Sequence, residues 1–142
     1  MSDVVEGVEA LERKLDDIGR SVRLAVLRAL HEGVRAIAVD ARNSMRATKV
    51  RWSEKGNYKA SLPGYPPAIR TGYLHDSIVF GVDTTRLSGV VGTNASYGKY
   101  LEFGTRYMEP RPWLYPAYAR NKRKILGALN SSIRNVLRRS GR

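Results

Sequence analysis

The sequence predicts an α+β fold: a long N-terminal helix and a basic C-terminal helix packed on a small antiparallel β-sheet, with a long arm-like loop between. Three observations carry this prediction. Apolar residues recur at helical spacing through the first 46 positions. At Ile78, Phe80 and Val82 they alternate with their neighbours, the period of a strand with one buried face. Beyond Pro116 helical spacing returns in a segment that carries no acidic residue. With 142 residues, 42% of them hydrophobic, one domain over 1–142 with one core is expected. Its parts are a long helix (1–46), an extended arm (47–70), a short turn and β-hairpin (71–95), an aromatic wedge (96–113) and a C-terminal helix (114–139).

The first helix opens on Asp3 and Glu6, spaced as a capping box. Val4, Val8, Leu11, Leu15, Ile18, Val22, Ala25 and Ala29 follow at alternating steps of four and three. Leu30, Val34, Ile37, Ala41 and Met45 continue the stripe with a shifted phase. A bend or break is expected at Gly19 or Gly33. One small domain cannot cover so long a stripe, so it must pack on the C-terminal helix, on another copy, or on both.

The arm shows no sustained periodicity. Its rings and prolines, Trp52, Tyr58, Tyr65, Pro66 and Pro67, have no local core and are expected to order against a neighbouring subunit. Interleaved basic residues also suit stacking on single-stranded nucleic acid, although no sheet is predicted there to support it. Thr71 is expected to cap one helical turn through Asp76. A hairpin follows, with its turn at Thr84–Leu87 and its return strand at Ser88–Thr93.

Tyr97, Tyr100, Phe103, Met108, Trp113 and Leu114 are the candidate wedge and interface anchors. The plain alternative for these rings is an aromatic mini-core beneath a loop. A short helix over Tyr97–Phe103, closed by Gly104, precedes three prolines. The last helix starts between Pro112 and Pro116 and presents Tyr118, Ile125, Leu129, Ile133 and Val136 or Leu137 as its apolar face.

Charge is unevenly placed. Residues 1–46 hold eight acids and eight bases, 47–112 nine bases and five acids, and 113–142 eight bases and no acid. The basic surface of Lys122, Arg123, Lys124, Arg134, Arg138 and Arg139 fits nucleic acid or an acidic protein face, or is simply a solvated helix. The sequence holds no cysteine and two histidines, His31 and His75, neither with a metal-spaced partner. Asp76, Asp83, Glu102 and Glu109 form no motif of a metal-dependent nuclease, and pairing with arginine is the simpler expectation. Catalysis and cofactors are not expected. Nor is a membrane segment or a secretory leader, so synthesis in a cytoplasm follows.

The run Tyr97-Gly98-Lys99-Tyr100-Leu101-Glu102-Phe103-Gly104-Thr105, then Met108, Pro110, Pro112-Trp113-Leu114 and Pro116-Ala117, resembles a family signature. That family is the neck or tail-completion (tail-component) proteins of long-tailed bacteriophages, typified by lambdoid phage Hong Kong ninety-seven. Pro66-Pro67, Thr71-Gly72-Tyr73-Leu74 and Ser77-Ile78 extend the likeness, which covers about residues 60–120 closely. Val50–Lys59 lies outside it. The resemblance implies a structural virion protein made in the host cytoplasm, located at the neck, that joins the head connector to the tail tube. It implies a closed homo-oligomeric ring, six-fold in preference to twelve-fold. Head-completion and tail-terminator or tail-tube proteins would be the neighbours, with non-specific contact to packaged DNA. The alternative is a basic nucleic-acid-binding module.

Overall fold

The computed structural model describes residues 2–141, with side chains from Gly7 onward. The capping box of Asp3 and Glu6 and the first stripe residue, Val4, lie outside the described side chains. In chain order the elements are α1 (Ser2–Arg46), β1 (Val50–Trp52), β2 (Lys59–Ser61), α2 (Tyr73–Asp76), β3 (Ile78–Asp83), β4 (Ser88–Thr93), α3 (Gly98–Phe103) and α4 (Tyr115–Ser140). The fold class is the α+β arrangement read from the sequence, with two small two-stranded sheets in place of one.

α1 is a single helix of 45 residues and breaks at neither glycine. A Cβ at Gly33 would lie 2.9 Å from Cγ1 of Ile125 on α4, whereas one at Gly19 would meet nothing within 4 Å. Gly33 is thus the point where the two helices approach closely, and its missing side chain makes room for Ile125. α4 runs antiparallel to α1. Asn121 lies beside Asp40, Ile125 beside Gly33, and Val136 and Arg139 beside Ser21 and Leu24.

The core joins Ile37, Ala38, Ala41 and Met45 of α1 to Leu74, Ile78, Ala95, Trp113 and Ala117. On α4, Ile125, Leu129, Ile133 and Val136 are half-buried as the periodicity requires. Tyr118 and Leu137 stay exposed, because the contact face is centred one residue earlier, on fully buried Ala117. β3 and β4 pair in antiparallel register from Ile78↔Thr93 to Asp83↔Ser88. Ile78, Phe80 and Val82 turn inward while Val79 and Gly81 are exposed, as alternation predicts. Asp83 Oδ1 accepts the amides of Thr85 and Arg86 and shapes the turn. A two-stranded sheet needs a support. Here α1 supplies it: Arg42 donates to the carbonyls of His75 and Ile78 at 3.3 and 2.6 Å, and Arg23 donates to the carbonyl of Thr84.

The arm departs from expectation. β1 and β2 form a hairpin, Val50↔Ser61 to Trp52↔Lys59, so 47–70 is not an irregular segment. Strands of three residues are too short to show a period of two. The base of this ribbon is tied down. The Gly64 amide donates to the Pro110 carbonyl at 2.9 Å, Arg111 Nε donates to the Ser61 carbonyl at 3.2 Å, and Thr48 Oγ1 donates to the Pro66 carbonyl at 2.5 Å.

A polar tie locks α1 to α4. Arg120 donates twice to the Asp40 carboxylate, each at 3.0 Å, and once to Ser44 Oγ, while Asn121 donates to Asp40 at 2.8 Å. The hydrogen bond from Arg120 holds the Asp40 carboxyl below its ordinary value of 3.8, against the opposing effect of partial burial. A carboxyl whose folded value is depressed contributes stability above its unfolded value and loses it as pH falls through the folded one. Asp40→Asn is therefore expected to cost about 1 kcal/mol or less at neutral pH, since both partners are partly exposed. As pH falls through the depressed folded value, the difference from the native chain should vanish. Thermal midpoints of both proteins across that range check it, and a gap that persists in acid would refute the assignment.

Candidate assembly surface

The wedge is built on one buried ring and one carboxylate. Trp113 is 3% exposed, and its Nε1–H donates to the Gly98 carbonyl at 2.9 Å. Glu102, at the end of α3, accepts the amides of Trp113 (2.8 Å), Leu114 (2.9 Å) and Tyr115 (2.9 Å). These are orphan donors where α4 begins, and an anion there also suits the helix dipole. The chain between is pinned by the Arg111 amide on the Leu101 carbonyl at 2.6 Å and by the Thr105–Met108 bridge. Gly104 enters that turn at φ 76, where a Cβ would press on Met108 and Pro110.

Rigid behind, the wedge is apolar in front. Tyr97 and Tyr100 are exposed, Phe103 is 80% exposed, and Met108 and Leu114 are half-buried. Trp113 alone among the six candidate anchors is core, so the mini-core reading holds for it and not for the rings. Tyr107, which the sequence did not single out, is the most exposed ring at 92%. Beside Phe103 lies a groove of about 590 Å³ with Leu30, Val34, Val91, Leu114, Tyr118 and Ile125 among its walls and Lys99 on its edge.

Of the arm residues, Trp52, Tyr58 and Tyr65 are exposed, Pro66 is half-buried and Pro67 is buried. Each ring carries a cation of its own chain. Lys59 Nζ sits 5.5 Å from the Trp52 ring, Arg70 4.4 Å from Tyr58, and Lys49 Nζ 5.3 Å from Tyr65. Lys122, Arg123, Lys124, Arg134, Arg138 and Arg139 are all exposed, and none has an acidic partner among the described residues. Helical spacing sets Arg123, Arg134 and Arg138 on the side facing away from α1.

Among the carboxylates Asp76, Asp83, Glu102 and Glu109, the expected pairing with arginine is seen for Asp83 alone of the described pairs, and it is long. Glu102 is taken by amides, Asp76 holds His75 Nδ1 at 2.8 Å, and Asp83 serves its turn, with Arg86 only at 4.0 Å. Thr71 Oγ1 accepts the Tyr73 amide at 3.3 Å, but the residue at the cap position of α2 is Gly72, in the left-handed region. His31 lies exposed and edge-on to Phe80 at 5.8 Å. Glu102, Arg42 and Asp40 are the positions that sequence reasoning missed as organisers. Only Glu102 left a signal: an acid ahead of a proline-flanked helix start.

Among the described residues no helix is long and apolar enough to cross a membrane. No curated protein and no solved structure matches the chain significantly. One family does, the bacteriophage HK97-gp10 tail components, over residues 9–104. The matched stretch runs from Glu9 on α1 through both hairpins and α3, about two thirds of the sequence. Together with the wedge motif and the α+β arrangement, that match shows that this chain belongs to the HK97-gp10-like family of phage tail components and is a structural protein of the virion.

Proposed function

We propose that the protein assembles as a closed homo-oligomeric ring at the head–tail junction and joins the head connector to the tail tube. Six copies rather than twelve, with head-completion protein on one side and tail-terminator or tail-tube protein on the other, is the arrangement we favour. The observation that carries this reading is the stripe on α1. Val8, Leu11 and Leu15 are each more than half exposed, beyond the reach of α4 in the same chain. An apolar helix face left uncovered in a subunit of a larger structure is an interface waiting for its partner. Head-to-tail copies related by a rotation that divides the circle close on themselves and leave a central conduit. The basic outward face of α4 then borders either the DNA path or a neighbouring ring.

A nucleic-acid-binding module is the second reading, and the basic β1–β2 ribbon favours it. Against it, the three arm rings are already paired with cations of their own chain and are not free platforms for bases. The two readings part on one experiment. Reversing Lys122, Arg123 and Lys124 to Glu leaves the fold unchanged, since all three are exposed. It is expected to reduce particle yield when the variant complements a phage lacking the protein. Titrations with unrelated DNA sequences over several salt concentrations should give feeble, sequence-blind binding at physiological salt. Sequence-selective nanomolar binding would overturn the structural reading, and normal yield from the triple variant would remove this charge from the mechanism.

A further inference from the structure

The exposed stripe of α1 and the groove beside Phe103 have matching chemistry. On α1, Val8, Leu11 and Leu15 form an apolar row, and Glu9, Glu12 and Asp16, each one residue later, form an acidic row alongside it. Residues 1–17 carry six acids against two bases. The groove presents the inverse pattern. Its walls are mainly apolar, with Phe103 and Tyr118 exposed at its mouth. Lys99 lines the groove with Glu102, whose carboxylate is already taken by three amides, and exposed Lys122 follows Tyr118 by one helical turn on the same side of α4.

A chain cannot bring these two surfaces together within itself. Leu11 is 19 residues from Leu30, the groove residue nearest to it on the same continuous helix, or about 28 Å along the axis. Nor does the stripe pair well with the same stripe of a second copy running antiparallel, because the acidic rows would then meet across the contact. We infer that the N-terminal third of α1 from one copy lies in the Phe103 groove of the next, with its acidic row against Lys99 and Lys122. The contact is heterologous: stripe and groove are different surfaces, so every copy uses both, and the chain of contacts closes or continues according to the rotation between copies. This inference rests on the homo-oligomeric reading above and names the surfaces that would carry it.

The test uses the full-length protein in particles. The chain has no cysteine, so Leu11→Cys in one copy and Phe103→Cys in another introduce the only thiols. Both side chains are exposed, at 57% and 80%, so neither substitution touches the core. Particles assembled from the mixture are treated with a short bismaleimide. A cross-linked dimer containing one copy of each variant is expected in the mixture and is lost when either variant is present alone. Lys99→Glu with Lys122→Glu in the groove copy should abolish the cross-link, and Glu12→Lys with Asp16→Lys in the stripe copy should restore it. Particles that contain both variants without the mixed dimer would overturn the docking and leave the ring reading standing, as would dimers formed by Leu11→Cys alone. Copies that touch no sibling in an imaged neck would remove both.

Discussion

Trp113→Ala is expected to destabilise the folded chain by about 3–5 kcal/mol, the range for truncating a fully buried large ring. For a domain of this size that is a fall in thermal midpoint on the order of 10 °C. The ring earns this magnitude through two separate effects. It packs in the core with Leu74, Ala95 and Ala117, so its removal leaves a cavity. Its Nε1–H also satisfies the carbonyl of Gly98, the buried first residue of α3. Trp113→Phe separates the two, since it keeps most of the ring volume and deletes only the donor. It should cost about 1 kcal/mol, the net worth of one hydrogen bond, because the Gly98 carbonyl keeps its place in the ladder of α3. Unfolding of the purified protein by heat or urea measures both variants. An unchanged midpoint for Trp113→Ala would place the ring on a partner surface instead of in the core, and would return it to the interface anchors with Tyr100 and Phe103.

Where the sequence was legible, the signal was periodic and long. α1, α4 and the β3–β4 hairpin follow from apolar spacing alone, because burial on one face imposes a period that local chemistry cannot hide. The wedge residues were legible as a group through their unusual composition. Their division into one buried ring and several exposed ones was not, since a tryptophan and a phenylalanine ten residues apart look alike until the neighbours are placed. The hairpin of the arm was hidden by its length. The role of Gly33 in packing was not legible, because a glycine inside a helix signals either flexibility or close approach, and only Ile125 opposite it reveals the second. Arg42, Asp40 and Arg120 act across separations of 33 to 80 residues, and no local pattern marks such partners.

Glu102 shows how such a distant partner can organise an interface. Its single carboxylate takes three consecutive amides at the entrance to α4. Glu102→Ala would leave all three without a side-chain acceptor and remove an anion from the positive end of a 26-residue helix. A lost cap costs about 1 kcal/mol and hydrogen bonds to a charged group somewhat more each. Water can reach the exposed side of Tyr115 and recover part of this, so a total of about 2–4 kcal/mol is expected. Glu102→Gln keeps one acceptor oxygen but turns an NH₂ group toward backbone donors, so it should lie between the native chain and Glu102→Ala. The same substitutions reach assembly, because Glu102 lies next to Phe103 and fixes Leu114 and Tyr115, which line the groove with it. Loss of the carboxylate should therefore reduce cross-linking between Leu11→Cys and Phe103→Cys copies even at temperatures where the variant remains folded. Full native stability in Glu102→Ala would show that the three amides are served equally well by water, and the carboxylate would then have no organising role at this end of α4.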